Sequence, residues 1–208
     1  DLMYYVGPRI NAAGRMKHAS LALELLICNE INSAEKLAIE IEELNSLRRE
    51  IEKDITSQAI EQADNSSEKK NSIVVFNSDW NKGVIGIVAS RLVDNYYKPS
   101  VVFCESSKGV LTASARSIKG LDLYLVINQC KDYIDQFGGH KYAAGLTIKK
   151  ENLEGFKKRF EDIVSQTIDK HIFEQELLIE SKISLSEITP KFFRILKQFE
   201  PFGPGNKS

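Results

Sequence analysis

The sequence predicts an α/β fold: a mixed sheet flanked by helices, joined by a long connector helix to a helical segment at the N-terminus. One observation behind this is the series Leu37, Ile41, Leu44, Leu47, Ile51 and Ile55, whose steps of three and four put apolar residues on one helical face. A second is the change of pattern after Asn71, where short β-branched runs alternate with longer helical ones. Composition agrees. With 42% hydrophobic and 27% charged residues, 208 residues bury enough surface to need neither disulfides nor a structural metal.

Taken in order, GPRINAAGR (Gly7 to Arg15) carries the breakers glycine and proline and reads as a turn. Ser20 to Cys28 is apolar and helical. Asn32 and Glu35 have the spacing at which side chains and backbone cap each other, so the connector helix is expected to start there and run to about Ala63. Its length would be roughly 45 Å at 1.5 Å per residue. The stripe suits either a coiled-coil seam or a helix packed along a domain. Asn65 to Asn71, NSSEKKN, is a polar linker.

Beyond it, Ile73 to Phe76 has the composition of a buried strand, Asp79 to Lys82 of a turn, and Val84 to Asp94 of a helix. Strands are expected at Ser100 to Cys104, after Pro99, and at Gly109 to Ala115. Leu121 to Cys130 reads as helix, Leu146 to Ile148 as strand, and Leu153 to Ile168 as an amphipathic helix. After His171, LLIESKISL reads as a strand and Pro190 to Phe199 as a short helix. There is no internal repeat.

Lys plus Arg is 28 and Asp plus Glu 29, a net charge of −1. This excludes a uniformly basic nucleic-acid coat but leaves room for a local basic patch. Cys28, Cys104 and Cys130 are odd in number, lack C-x-x-C spacing and lie in or beside apolar stretches, as core thiols of a reducing compartment do. No apolar run approaches the roughly 20 residues of a membrane helix. The first residues lack a signal-peptide pattern, so the chain reads as cytoplasmic, with no membrane association. Asp1 in place of an initiator Met, and the turn-rich FEPFGPGNKS at the end, lead us to expect a piece of a longer chain.

The densest chemical signal is Phe137 to Gly145, FGGHKYAAG, read as a loop. Gly138 and Gly139 would let backbone N–H groups approach an anion, and His140 can donate a hydrogen bond or move a proton. A tight turn with a surface histidine is the plain alternative. In Ser114-Ala115-Arg116-Ser117, hydroxyls flank a guanidinium able to grip a phosphate or carboxylate with both its arms; alternatively this is an ordinary strand end. Arg9, Asn11 and Arg15 form a third group, with Lys17 and His18 following, suited to phosphate or to a solvated helix start. Trp80 to Gly86 leads into a helix whose first turn is glycine-rich, which fits anion binding or, better, close helix-to-sheet packing.

No Asp-His-His, His-x-x-Glu-His or paired-Asp cluster occurs, so no metal ligands are assigned. Neither a P-loop nor a Gly-x-Ser-x-Gly motif is present. The histidines at 18, 140 and 171 are too scattered for a zinc enzyme. Anion-binding groups are on view without a reaction centre.

The succession GPRINAAGRM, WNKGVIGIVASRL, SARS, FGGHKYAAG and FEPFGPGN resembles the RecJ single-stranded-DNA exonucleases of the DHH phosphoesterase superfamily. That resemblance implies a domain plan. Residues 1–31 would be the end of the phosphoesterase domain, 32–71 the connector helix and linker, 72–170 the DHH-associated substrate-binding domain, and 171–208 the start of an oligonucleotide-binding region. It also implies that the Asp and His ligands for Mn or Mg lie in an N-terminal half, leaving this segment alone without bound metal and inactive. The implied partner is single-stranded DNA, in repair and recombination; protein partners are not indicated. The implied roles are Arg116, Ser114 and Ser117 on the 5′ phosphate, Arg9, Asn11 and Arg15 on nearby phosphates, Gly138 and Gly139 in substrate binding, and His140 as the catalytic residue, facing the metal domain and contacting the scissile phosphate. A relative acting on short oligonucleotides or cyclic dinucleotides, and a non-catalytic nucleic-acid-binding module, are the competing functions. Arg116 and the Gly138-Gly139-His140 segment are expected to converge in space.

Overall fold

Alternation of side chains along the strands decides which helix covers which side of the sheet. A computed structural model describes residues 2–65, 70–167, 179, 181–203 and 206. Helices α1 (Gly7–Met16), α2 (Ser20–Ile27) and α3 (Ile31–Asp64) come first, after a π-helical turn at Leu2–Val6. Then follow β1 (Ile73–Phe76), α4 (Ile85–Tyr96), β2 (Ser100–Ser107), β3 (Val110–Arg116), α5 (Leu123–Asn128), β4 (Gln136–His140), β5 (Ala143–Lys149) and α6 (Leu153–Thr167). The strand order is β1-β2-β3-β5-β4; β1 and β2 run parallel and every other pair antiparallel, which makes the sheet mixed as the sequence predicts.

One face is apolar along its length. Val101, Phe103, Leu111, Ala113, Ala115, Ala144, Leu146 and Ile148 bury against α5 and α6, where Phe103 meets Phe156 edge-on with ring centroids 5.4 Å apart. On the other face Ile73, Val75, Val102 and Cys104 meet Val84, Val88 and Leu92 of α4 and Ile55 and Ala59 of α3. Helix α4 packs on β2 and β3, and this second face is open over β5 and β4. Cys104 and Cys130 are buried free thiols, as expected of core cysteines.

The structure corrects several expectations. GPRINAAGR is a helix, not a turn: Pro8 occupies the first helical turn, where its missing N–H costs nothing. Ala12 and Ala13 are fully buried, and Ala13 packs with Ala22 and Ile41. Helix α3 begins at Ile31 with Glu30 in the cap position and no side-chain cap, so Asn32 already lies inside it and the Asn32–Glu35 box does not form. The buried seam of α3 runs through Ile41, Asn45, Glu52, Ile55 and Ala59, whereas Leu47 is 46% exposed. Phe137–Gly145 is not a loop either; its first residues are strand β4 and its last begin β5.

Asp1–Glu174 form one compact unit and Gln175–Ser208 a second. In the latter, α7 (Pro190–Lys197) is the expected short helix, and the Thr189 hydroxyl caps it by accepting the Phe192 N–H at 3.2 Å. Ile179 and 181–184 are not in a strand; the rest of LLIESKISL before that point, His171, Ile168, the middle of the 65–71 linker and Lys207 lie outside the described residues. Among the described residues no helix is long and apolar enough to cross a membrane.

Candidate functional site

Pairing across the sheet brings the separate motifs together. Arg116 opposes Ala143, which opposes His140, so these residues form one row across β3, β5 and β4. Ser114, Gly145 and Gly138 form the next row, and Thr112, Thr147 and Gln136 the one after. Directly opposed residues project to the same face, and so do residues two apart along a strand. All of these groups therefore share the face on which α4 packs over β3 and which is open over β5 and β4. Two strand spacings put the backbones of Arg116 and His140 roughly 10 Å apart. The expected convergence of Arg116 and the Gly138-Gly139-His140 segment is present.

Arg116 ends β3 half-buried. Its Nη1 donates to Ser114 Oγ and to the Ala115 carbonyl, each at 2.9 Å. Burial pushes the guanidinium pKa down from its ordinary value, and the nearby Arg15 cation acts in the same direction. A guanidinium remains charged regardless. Arg15 in turn donates to the Gly83 carbonyl at 3.0 Å. Among the described residues neither Arg15 nor Arg116 forms an ion pair with a carboxylate. Two neighbouring cations without a counter-charge, one of them half-buried, make a place for an anion. Ser114 accepts from Arg116, which leaves its own hydroxyl proton to donate.

Glycine makes the close approaches possible. A Cβ on Gly83 would collide with the Arg15 carbonyl, so this glycine lets the end of α1 dock on the loop before α4. A Cβ on Gly86 would lie 3.1 Å from Ser114 Oγ and 3.2 Å from Arg116 Nη2. The Trp80–Gly86 glycines thus serve packing, and what they pack against is the arginine cluster. On β4, Gly139 is held at φ +154°, and a Cβ there would lie 2.5 Å from Ala144 Cα. Gly138 has open space above it and, with Gly145, forms a bare floor between Ser114 and the sheet edge. His140 is exposed; its Nδ1 accepts the Tyr142 N–H at 3.2 Å, which leaves Nε2 free to donate outward.

The other expected site residues are engaged in different ways. Arg9 is paired with Glu42 of α3 and also donates to the Tyr5 carbonyl at 2.6 Å, away from Arg15. Asn11 does sit one turn before Arg15 on the exposed side of α1. The Ser117 hydroxyl donates to the Leu121 carbonyl at 3.0 Å and its N–H to the Tyr142 carbonyl at 3.0 Å, so it shapes the turn and has no donor left for a phosphate. Thr112, Thr147 and Gln136 extend the same face beyond the sequence motifs, and strand alternation counted outward from Arg116 and His140 finds them. Among the described residues no group of three or more His, Cys, Asp or Glu side chains is arranged to share a metal ion.

The DHHA1 domain model matches residues 51–166. The single-stranded-DNA-specific exonuclease RecJ of Bacillus subtilis is 35% identical over 201 residues, 96% of this chain and 26% of that protein. RecJ of Haemophilus influenzae is 35% identical over 213 residues, 99% of this chain and 37% of that one. The crystal structure of Thermus thermophilus RecJ in complex with Mg2+ superposes with a TM-score of 0.88 at 28% identity, covering 98% of this chain and 31% of that one. The Mn2+ complex of the same protein gives the same TM-score of 0.88. The chain thus spans between a quarter and two fifths of the length of these relatives.

Proposed function

The chain belongs to the DHHA1 domain family and is homologous to RecJ exonucleases, and from this premise we propose that it is the substrate-binding portion of a 5′→3′ single-strand DNA exonuclease. The observation that carries the reading is the Arg116–Ser114–Arg15 cluster: a half-buried guanidinium beside a second cation, without a carboxylate, at the edge of an open glycine floor. Arg116 Nη2 and the Ser114 hydroxyl would hold the terminal 5′ phosphate, with Arg15 adding charge and Asn11 standing one turn away. The Gly138–Gly145 floor would admit the first nucleotide without steric hindrance, and His140 would donate through Nε2 to the scissile phosphate.

The full-length chain would act on single-stranded DNA in repair and recombination, in the cytoplasm, with Mn or Mg. When bound, such ions supply charge neutralisation and an activated water. Among the described residues no group of three or more His, Cys, Asp or Glu is arranged to hold them, and the role proposed for this segment is to grip and orient the strand. The 208 residues alone are expected to leave labelled single-stranded DNA intact with either ion, while the full-length chain digests it. Digestion by the isolated segment that disappears on changing its own His140 would refute this division of labour.

A further inference from the structure

The connector helix carries a second basic site. Arg48, Arg49, Glu52, Lys53 and Thr56 of α3 face Ile87 and Arg91 of α4 across an open groove of about 480 Å³. Arg48 pairs with Glu52, and Arg91 Nη2 lies 3.2 Å from the same carboxylate. One acid is therefore shared by two arginines. Arg49 and Lys53, one turn apart and exposed, form no ion pair or hydrogen bond among the described residues. Like charges at this spacing repel. Four cations against one carboxylate leave the groove strongly positive.

Beneath it, Arg48 Nε and Thr56 Oγ1 are buried without a hydrogen-bond partner, and Arg48 also donates to Oδ1 of the fully buried Asn45 at 3.3 Å. A groove rimmed by exposed, unpaired cations and carrying surplus positive charge selects an anion with several acceptor oxygens. The same helix links it to the candidate site: Gly86, against Ser114 and Arg116, is followed directly by Ile87, which lines the groove, and Arg91 comes five residues after Gly86, about 7.5 Å along α4 and on a different face of it.

We propose that this groove is a second phosphodiester site, which takes the backbone of the strand whose 5′ phosphate is held at Arg116. The inference rests on the reading of the Arg116 cluster given above. The test uses the full-length chain carrying Arg49→Gln with Lys53→Gln, two exposed positions that leave the Arg48–Glu52–Arg91 network intact. Binding is measured against salt for a long 5′-phosphorylated single strand and for a 5′-phosphorylated mononucleotide. Each lost phosphate contact removes about 0.7 from the slope of log affinity against log salt, so the long strand is expected to lose about 1.4 and the mononucleotide nothing. An unchanged slope overturns the proposal. Equal weakening of both ligands overturns it too, as an indirect effect. If instead Arg116→Ala leaves mononucleotide binding intact, the parent reading fails while the groove result stands separately.

Discussion

Replacing Arg116 by Ala separates ligand binding from folding. Among the described residues the side chain makes hydrogen bonds only to Ser114 Oγ and the Ala115 carbonyl and has no carboxylate partner, and it lies close enough to Arg15 for their charges to oppose each other. Removing it breaks no ion pair and relieves a like-charge repulsion, so stability should change by less than about 1 kcal/mol. A charge-assisted grip on a phosphate contributes about 1.5–3 kcal/mol, a loss of roughly 10- to 140-fold in affinity. Arg116→Lys should lose most of this as well, because an ammonium cannot reproduce the planar fork. The assay compares 5′-phosphorylated with 5′-hydroxyl single strands on the full-length chain, alongside thermal unfolding. The reasoning is refuted if either variant keeps the wild-type preference for the phosphorylated end, or if the loss merely tracks a fall in melting temperature.

Other perturbations probe the same geometry. Gly86→Ala should keep or slightly raise stability, through helix propensity, while pushing Arg116 off its rotamer costs phosphate affinity roughly 0.5–1.5 kcal/mol; binding and melting measured together show whether the two separate. Gly139→Ala should destabilise by at least about 2 kcal/mol in urea unfolding, because its Cβ meets the Ala144 backbone. Gly138→Ala, with open space above it, should cost no more than about 0.5 kcal/mol of stability yet weaken strand binding across the floor. Burial pushes the Cys104 thiol up and the Cys130 thiol up to about 12, so a thiol reagent at pH 8 should modify only the partly exposed Cys28 in the native segment, and all 3 cysteines once unfolded.

Local composition made β1, β2 and β3 legible, because β-branched residues there lie between clear turn signals. It hid β4. Gly138 and Gly139 have no strand propensity, and the strand exists because β5 pairs with it and Gly139 fits over Ala144. In α1, glycine and proline read as breakers, but Pro8 falls in the first turn and Gly14 near the last. The length of α3 was plain from its period, whereas its polar seam was not. Asn45, Arg48 and Glu52 are tolerated inside because Glu52 is shared with Arg91, a partner 39 residues away that no local pattern indicates. The site shows the same division. Its residue types are visible as motifs, but which arginine joins the Arg116 cluster depends on helix phase and tertiary pairing: Arg15 docks beside Gly83 and Arg116, while Arg9 turns to Glu42.

The central claim, that the Arg116 cluster holds the 5′ end of a single strand, is tested most directly by a crystal structure of the full-length chain with a 5′-phosphorylated oligonucleotide. We expect the terminal phosphate within hydrogen-bond distance of Arg116 Nη2 and Ser114 Oγ, the first nucleotide over Gly138 and Gly145, and His140 Nε2 facing the next phosphate. A strand whose 5′ phosphate sits elsewhere, with the glycine floor empty and Arg116 unengaged, would contradict it.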